Sequence, residues 1–220
     1  PATFSGCVVV EWLNVSSGAD AAPEYSYVAA ELVRSGHAWI GVSAQFVGVE
    51  GGTGSVGVAT GAPQSLAAKD PERYAGLHHP GDAYCYDIFS SIGRAARDTA
   101  GADHPLAGLT VATVLAIGES QSAMALTTYV NAIGPDAAPF DGYLIHSRAA
   151  AGLPAGEVGS AIDVATVFGR EPTTIRTDLA APVFVVQTET DVLTNFRYHT
   201  ARQPDSDRLR VWEMAGTSHA

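Results

Sequence analysis

Apolar residues follow two alternating rhythms along the chain. Short runs rich in β-branched residues, "CVVVEWL" (7–13), "HAWIGVSAQFV" (37–47), "LTVATVLAIG" (109–118), "DGYLIHS" (141–147), "APVFVVQT" (181–188) and "RLRVWEM" (208–214), have the length and composition of buried strands. Between them, apolar residues recur every three or four positions. In "PEYSYVAAELVRSG" (23–36), Val28, Leu32 and Val33 keep helical spacing and Gly36 stands where a helix stops. "DAYCYDIFSSIGRAAR" (82–97) has apolar positions 85, 88, 89, 92 and 96, a helix face. "QSAMALTTYVNAI" (121–133) places Leu126, Tyr129, Val130 and Ile133 on one side, and a short helix is predicted over 196–201. Two stretches keep neither rhythm: the Gly-rich, polar 48–80, longer than a connection needs, and 148–180, rich in Gly, Pro and Thr.

Strand and helix alternating along the whole length predict an α/β fold with a mostly parallel sheet and helices on both faces. The length of 220 residues fits one domain. In such a sheet the carboxyl ends of the strands share one edge, where sites are placed.

Candidate chemistry sits at that edge. In "LAIGESQSAM" a strand ends at Gly118 and a helix starts by Gln121, so the link is extremely short. Its apex must take a strained backbone conformation between small neighbours, which Gly118, Ser122 and Ala123 supply. The pattern is G-x-S-x-S, one residue from the G-x-S-x-G of a nucleophile elbow. Such a turn lifts the Ser120 hydroxyl clear of the sheet, and the N–H of Gln121 at the helix start offers an oxyanion donor. The competing reading is a helix N-cap provided by Ser120 or Glu119.

A serine needs a base, and the base an orienting acid. Asp191 follows the strand ending at 188, and His219 follows the strand ending at 214, in "AGTSHA". Ser120, Asp191 and His219 thus each follow a strand, in the order serine, acid, histidine. Glu189 is the rival acid; Asp191 is preferred because it lies further past the strand end.

Composition narrows the alternatives. The net charge of −11 excludes nucleic acid as the expected partner, because phosphates need Lys and Arg to neutralise them. Cys7 and Cys85 have neither pairing nor metal spacing and read as packed thiols. No apolar run approaches the roughly 18 residues of a membrane span. The chain opens on Pro1 and closes on Ala220 directly after His219, which reads as clipped at both ends; cytoplasmic and secreted locations both stay open, as does oligomeric state.

"GTGSVG" (52–57) matches a dinucleotide-binding pattern, but Gly61 and Pro63 follow where a helix should open, so a loop over the active edge is the expectation. His78 and His79 lack a third ligand for a metal. Glu119, His79, His146 and Arg148 are candidates for the substrate pocket.

With these residues in view, the chain resembles the α/β-hydrolase superfamily over its whole length. More narrowly it is similar to a bacterial family known as alpha/beta hydrolase domain-containing proteins. The stretches that carry the likeness are "VVVEWLNVSSGADAAPEY", "RSGHAWIGVSAQFVGVEGG", "HPGDAYCYDIFSSIGRAAR", "VLAIGESQSAMALTTYVNAI" and "VWEMAGTSHA". The resemblance implies an α/β-hydrolase fold with a Ser–His–acid mechanism and no metal or organic cofactor. It implies that the superfamily's first two strands lie upstream of Pro1, that "CVVVEWL" is the third strand, and that 148–180 is a short cap insertion. The loop after that third strand supplies the second oxyanion donor. Here it reads "WLNVSSGAD", without the familiar His-Gly pair, and points to the backbone N–H of Asn14 or Val15. The expected activity is cleavage of a small-molecule carboxylic ester through an acyl-enzyme. The alternatives are an amidase, peptidase or thioesterase with the same triad, or a catalytically silent binding module.

Overall fold

Six strands follow one another in the chain: β1 (Cys7–Trp12), β2 (Ala38–Val42), β3 (Thr113–Glu119), β4 (Gly142–His146), β5 (Val183–Thr188) and β6 (Leu209–Met214). They form one sheet in the order β2-β1-β3-β4-β5-β6, and all five pairings are parallel. The helices are α1 (Pro23–Ser35), the one-turn α2 (Phe46–Glu50), α3 (Leu66–Lys69) and α4 (Pro71–Tyr74), then α5 (Cys85–Arg97), α6 (Gln121–Thr128) and the short α7 (Glu189–Leu193). The structure is a computed structural model that describes residues 3–55, 64–134 and 139–219. The end of the "GTGSVG" stretch, with Gly61 and Pro63, lies outside the described residues, as do Pro1 and Ala220.

The strands alternate their side chains between two faces. Val8, Val10 and Trp12 of β1, Val114 and Ala116 of β3, and Ile145 of β4 join Phe89 of α5 and Met124 and Leu126 of α6 in the main core. On the other face Val9 and Ile117 pack with Leu32 and Val28 of α1. Helices therefore lie on both faces, as expected. Beyond α1 the second face opens into an apolar recess of about 510 Å³ bordered by Leu115, Leu144 and Phe184.

The start of α1 shows how this packing replaces local signals. Its N-cap, Ala22, makes no side-chain capping bond. Instead the Glu11 carboxylate of β1 accepts the N–H groups of Glu24 (3.0 Å) and Tyr25 (2.9 Å) and the indole N–H of Trp39 (2.9 Å). Those N–H groups have no partner within the helix. The helix ends at Gly36, which takes the left-handed conformation (φ 70°) and returns its N–H to Leu32 and Val33.

Several element boundaries differ from the sequence expectation. The strand predicted over 37–47 stops at Val42, and Phe46–Glu50 is helical. Side chains draw this segment out of the sheet: Trp12 Nε1 donates to Gln45 Oε1 (3.1 Å), and Asp82 Oδ1 accepts the N–H of Phe46 (2.6 Å). Val33, predicted on the buried face of α1, is 69% exposed. The buried line runs through Val28 and Leu32, and one further residue turns about 100° away. The helix over 121–133 changes after Thr128 into a π turn, Tyr129–Ile133, and 196–201 holds only a 3₁₀ turn, Tyr198–Ala201.

Asp82 is a fastener for the segments around the site. It is buried, and its second oxygen accepts the N–H of Ile162 (2.8 Å). Asp82→Ala leaves two backbone donors without their acceptor, which is expected to lower unfolding free energy by about 2–4 kcal/mol. Asp82→Asn keeps one acceptor oxygen and is expected to lose less. Urea unfolding of the three proteins measures both.

Candidate active site

β3 ends at Glu119 and α6 begins at Gln121, so Ser120 alone makes the turn. Its backbone has φ 57° and ψ −117°, a region that costs a non-glycine residue about 1–3 kcal/mol. The Ser120 N–H still pairs with the His146 carbonyl (2.9 Å), so sheet bonding continues to the apex. A Cβ on Gly118 would lie 3.0 Å from Ser122 Cβ and 3.1 Å from Leu126 Cδ1. That crowding is why the turn needs small residues two positions either side.

The structure brings Ser120, His219 and Asp191 together. Ser120 Oγ lies 2.9 Å from His219 Nε2, and His219 Nδ1 lies 2.7 Å from Asp191 Oδ1. A carboxylate on Nδ1 fixes the proton there and leaves Nε2 to accept from the serine hydroxyl. Asp191 belongs to α7 rather than to a loop. Thr188 caps that helix in a reciprocal box: its side chain accepts the Asp191 N–H, while Asp191 Oδ2 accepts the Thr188 N–H (2.7 Å). Burial alone would raise the Asp191 pKa. The hydrogen bonds from His219, Thr188 and Ser147 outweigh it and lower the value, so the group is a carboxylate at neutral pH.

Glu189, the rival acid, is turned elsewhere: its Oε2 accepts the Gly216 N–H at 2.7 Å. Thr190 Oγ1 accepts the His219 N–H, also at 2.7 Å. Three consecutive α7 side chains thus hold the segment after β6, and only Asp191 reaches the imidazole. The ring packs against Phe196 at 4.6 Å between centroids.

The predicted oxyanion donors fare differently. Gln121 occupies the first helical position of α6, where the N–H has no acceptor within the helix. Asn14 corrects the expectation, since its N–H and carbonyl pair with Ala21 in an isolated bridge. The Val15 N–H faces the Gln121 side-chain oxygen at 3.2 Å. Asn14 instead acts through its side chain, whose Nδ2 donates to the Glu119 carbonyl (3.1 Å).

A cavity of about 500 Å³ opens on Ser120 and His219, with Glu119 and Asn14 on its polar side and Phe168 and Phe196 among its apolar walls. The 3₁₀ turn Val164–Gly169, within 148–180, supplies Phe168. Of the four predicted pocket residues, only Glu119 lines this cavity. His79 is buried between Ala44 O (Nε2, 3.0 Å) and the Gly81 N–H (Nδ1, 3.1 Å), a structural role. His146 Nδ1 donates to Glu24 Oε1 at 2.8 Å. Burial would lower its pKa, but the bond and charge of Glu24 win and raise it. Arg148 is only 1% exposed, bonded to Thr127 Oγ1 and to the Ala150 and Thr173 carbonyls, with its guanidinium over the Tyr198 ring. Burial lowers its pKa to about 10, still cationic at neutral pH.

Ser147, Thr188 and Thr190 carry parts of the site that sequence reasoning missed. The spacing T-x-x-D over 188–191 is a capping-box pattern and was readable. The Ser147 contact, across the sheet edge, had no local signal.

A protein-family model described as an alpha/beta hydrolase domain matches residues 1–220. No curated protein matches the chain. Solved structures similar to it include esterase PE8, 14% identical with a TM-score of 0.45, covering 97% of this chain and 84% of that one. Another is XC6422 from Xanthomonas campestris, described as an a/b serine hydrolase without lid, 16% identical with a TM-score of 0.48, covering 99% and 74%. A third is the siderophore hydrolase EstA from Aspergillus nidulans, 12% identical with a TM-score of 0.41, covering 98% and 78%.

Proposed function

The chain belongs to the alpha/beta hydrolase domain family, and from that premise we propose that it is a serine hydrolase that cleaves a carboxylic ester through an acyl-enzyme. The observation that carries the reading is the unbroken chain from Ser120 Oγ through His219 to Asp191, with contacts of 2.9 Å and 2.7 Å. Ser120 Oγ attacks the ester carbonyl while His219 Nε2 takes the hydroxyl proton. Asp191 holds the Nδ1–H tautomer and stabilises the imidazolium. Collapse of the tetrahedral intermediate breaks the bond to the leaving alcohol, which takes the proton from Nε2. Water then repeats the sequence, returning the serine and releasing the acid.

The Gln121 N–H is the first oxyanion donor in this scheme. The Val15 N–H is the second, exchanging the neutral Gln121 amide oxygen for the developing oxyanion. A charge-assisted bond is roughly twice as strong as the neutral one it replaces. The segment 148–180 acts as the short cap, since its 3₁₀ turn forms one wall of the cavity.

The test is hydrolysis of p-nitrophenyl acetate and butyrate, with mass spectrometry after treatment with a fluorophosphonate. Turnover and a single adduct on Ser120 are expected. Folded protein that shows neither turnover nor adduct overturns the hydrolase reading in favour of a binding module.

A further inference from the structure

The acylation scheme leaves one pocket-lining carboxylate unused. Glu119, next to the nucleophile, has a side chain only 5% exposed. Its Oε2 lies 3.4 Å from Asn14 Nδ2. Its Oε1 is buried with no hydrogen-bond partner among the described residues, and lies 3.6 Å from His219 Nε2. An unpaired buried carboxylate oxygen is costly to keep. The arrangement makes sense if the partner is a charge that arises during the reaction. The charge that arises beside Oε1 is the His219 imidazolium.

We propose that Glu119 is a positioning residue for His219, holding the imidazolium from the Nε2 side while Asp191 holds it from Nδ1. The proposal rests on the serine-hydrolase reading and deepens it. When the Ser120 O–H bond breaks and the Nε2–H bond forms, the positive ring sits between two carboxylates. Glu119 itself neither gains nor loses a proton in that step. At 3.6 Å it attracts the ring without closing a hydrogen bond that would keep the Nε2 proton from the leaving alcohol.

The charge on Glu119 is set by its surroundings. His219 faces it from the segment after β6, and His146 pairs with it in register across β4. Glu24 and Tyr27 face it from α1, and Asp191 from α7. Burial is the largest influence and pushes the carboxyl up, His219 and His146 pull it down, Glu24 and Asp191 push it up, and the balance leaves it at about 7. Below that pH Glu119 is a neutral acid and offers the imidazolium no charge. Above it the carboxylate is present and acylation gains from it.

The experiment is the second-order rate constant for fluorophosphonate labelling of Ser120, measured from about pH 5.5 to about pH 8.5 in the wild type and in Glu119→Gln, with Ser120→Ala as the blank. Glutamine keeps the shape and an acceptor oxygen but never carries charge. The ratio of wild-type to variant rate is expected to grow at least about fivefold across this range, consistent with a nearby charge acting in a partly screened site. A ratio that stays constant with pH shows that Glu119 only maintains the local shape, and overturns the proposal while leaving the hydrolase reading intact. If Glu119→Gln does not fold, the wild-type profile decides: two ionisations support the proposal, and a profile described by one overturns it. Absence of any adduct on folded wild type at every pH overturns the hydrolase reading and this proposal with it.

Discussion

Ser120→Ala is expected to lower kcat by about a million-fold, the scale seen when a serine nucleophile is removed from a triad. Oγ is the only heavy atom lost. His219, Asp191 and the Gln121 N–H stay in place, so the residual rate over water reports the binding site and oxyanion donors alone. Alanine keeps a Cβ and with it the strain of φ 57°. Ser120→Gly removes both the nucleophile and the strain, and is expected to be equally inactive yet more stable than Ser120→Ala by about 1–2 kcal/mol. Ester turnover and urea unfolding of the two variants measure the pair of effects. Equal stability of the two would show that the turn is not strained; residual wild-type turnover in either would remove Ser120 from the mechanism.

Asp191→Asn is expected to lower kcat/KM by about ten-thousand-fold while changing stability little. One Asp191 oxygen accepts from His219 Nδ1 and the other from the Thr188 N–H. The backbone donor of Thr188 cannot move, so the asparagine oxygen stays with it and the amide NH₂ faces Nδ1. The imidazole must then carry its proton on Nε2, where it cannot accept one from Ser120. Glu189→Gln is the matched control. Its loss weakens the contact to the Gly216 N–H but leaves the histidine tautomer alone, so the expected change is under about tenfold. Comparing kcat/KM for the two variants assigns the acid directly; a larger loss at Glu189 than at Asp191 would reverse the assignment.

The fold was legible because each strand kept its apolar run and each long helix its period. The meeting of Ser120, Asp191 and His219 was legible for the same reason: they follow strands whose carboxyl ends share an edge. Errors arose where side chains from distant segments overrode local pattern. The segment Ser43–Gln45 continues an apolar run, yet Asp82 and Trp12 draw it and the following turn out of the sheet. Arg148 follows a strand at the active edge, as a pocket residue would. Its neighbours Thr127, Thr173 and Tyr198 enclose it instead, and nothing next to it in sequence announces them. His146 was drawn away in the same manner by Glu24, which lies 122 positions earlier. Asn14 was read as a backbone donor; its bridge to Ala21 depends on how the chain doubles back toward α1. Local rhythm specifies elements and the edge they share, whereas side-chain direction at that edge depends on partners tens of residues away.

The all-parallel sheet has a consequence in time. Parallel neighbours cannot be joined by a tight hairpin, so every pairing waits for a crossover to be completed. Ser120 and His219 are 99 positions apart in the chain. At the usual pace of synthesis, on the order of 5–20 residues per second, about 5–20 s separate the making of Ser120 from the making of His219. β5 and α7 are made within that interval, whereas β6 and the histidine segment that α7 holds are made only at its end. The serine spends it as an ordinary alcohol. In the proposed mechanism its base follows β6, so a nascent chain is expected to carry no acylating activity until His219 has been made.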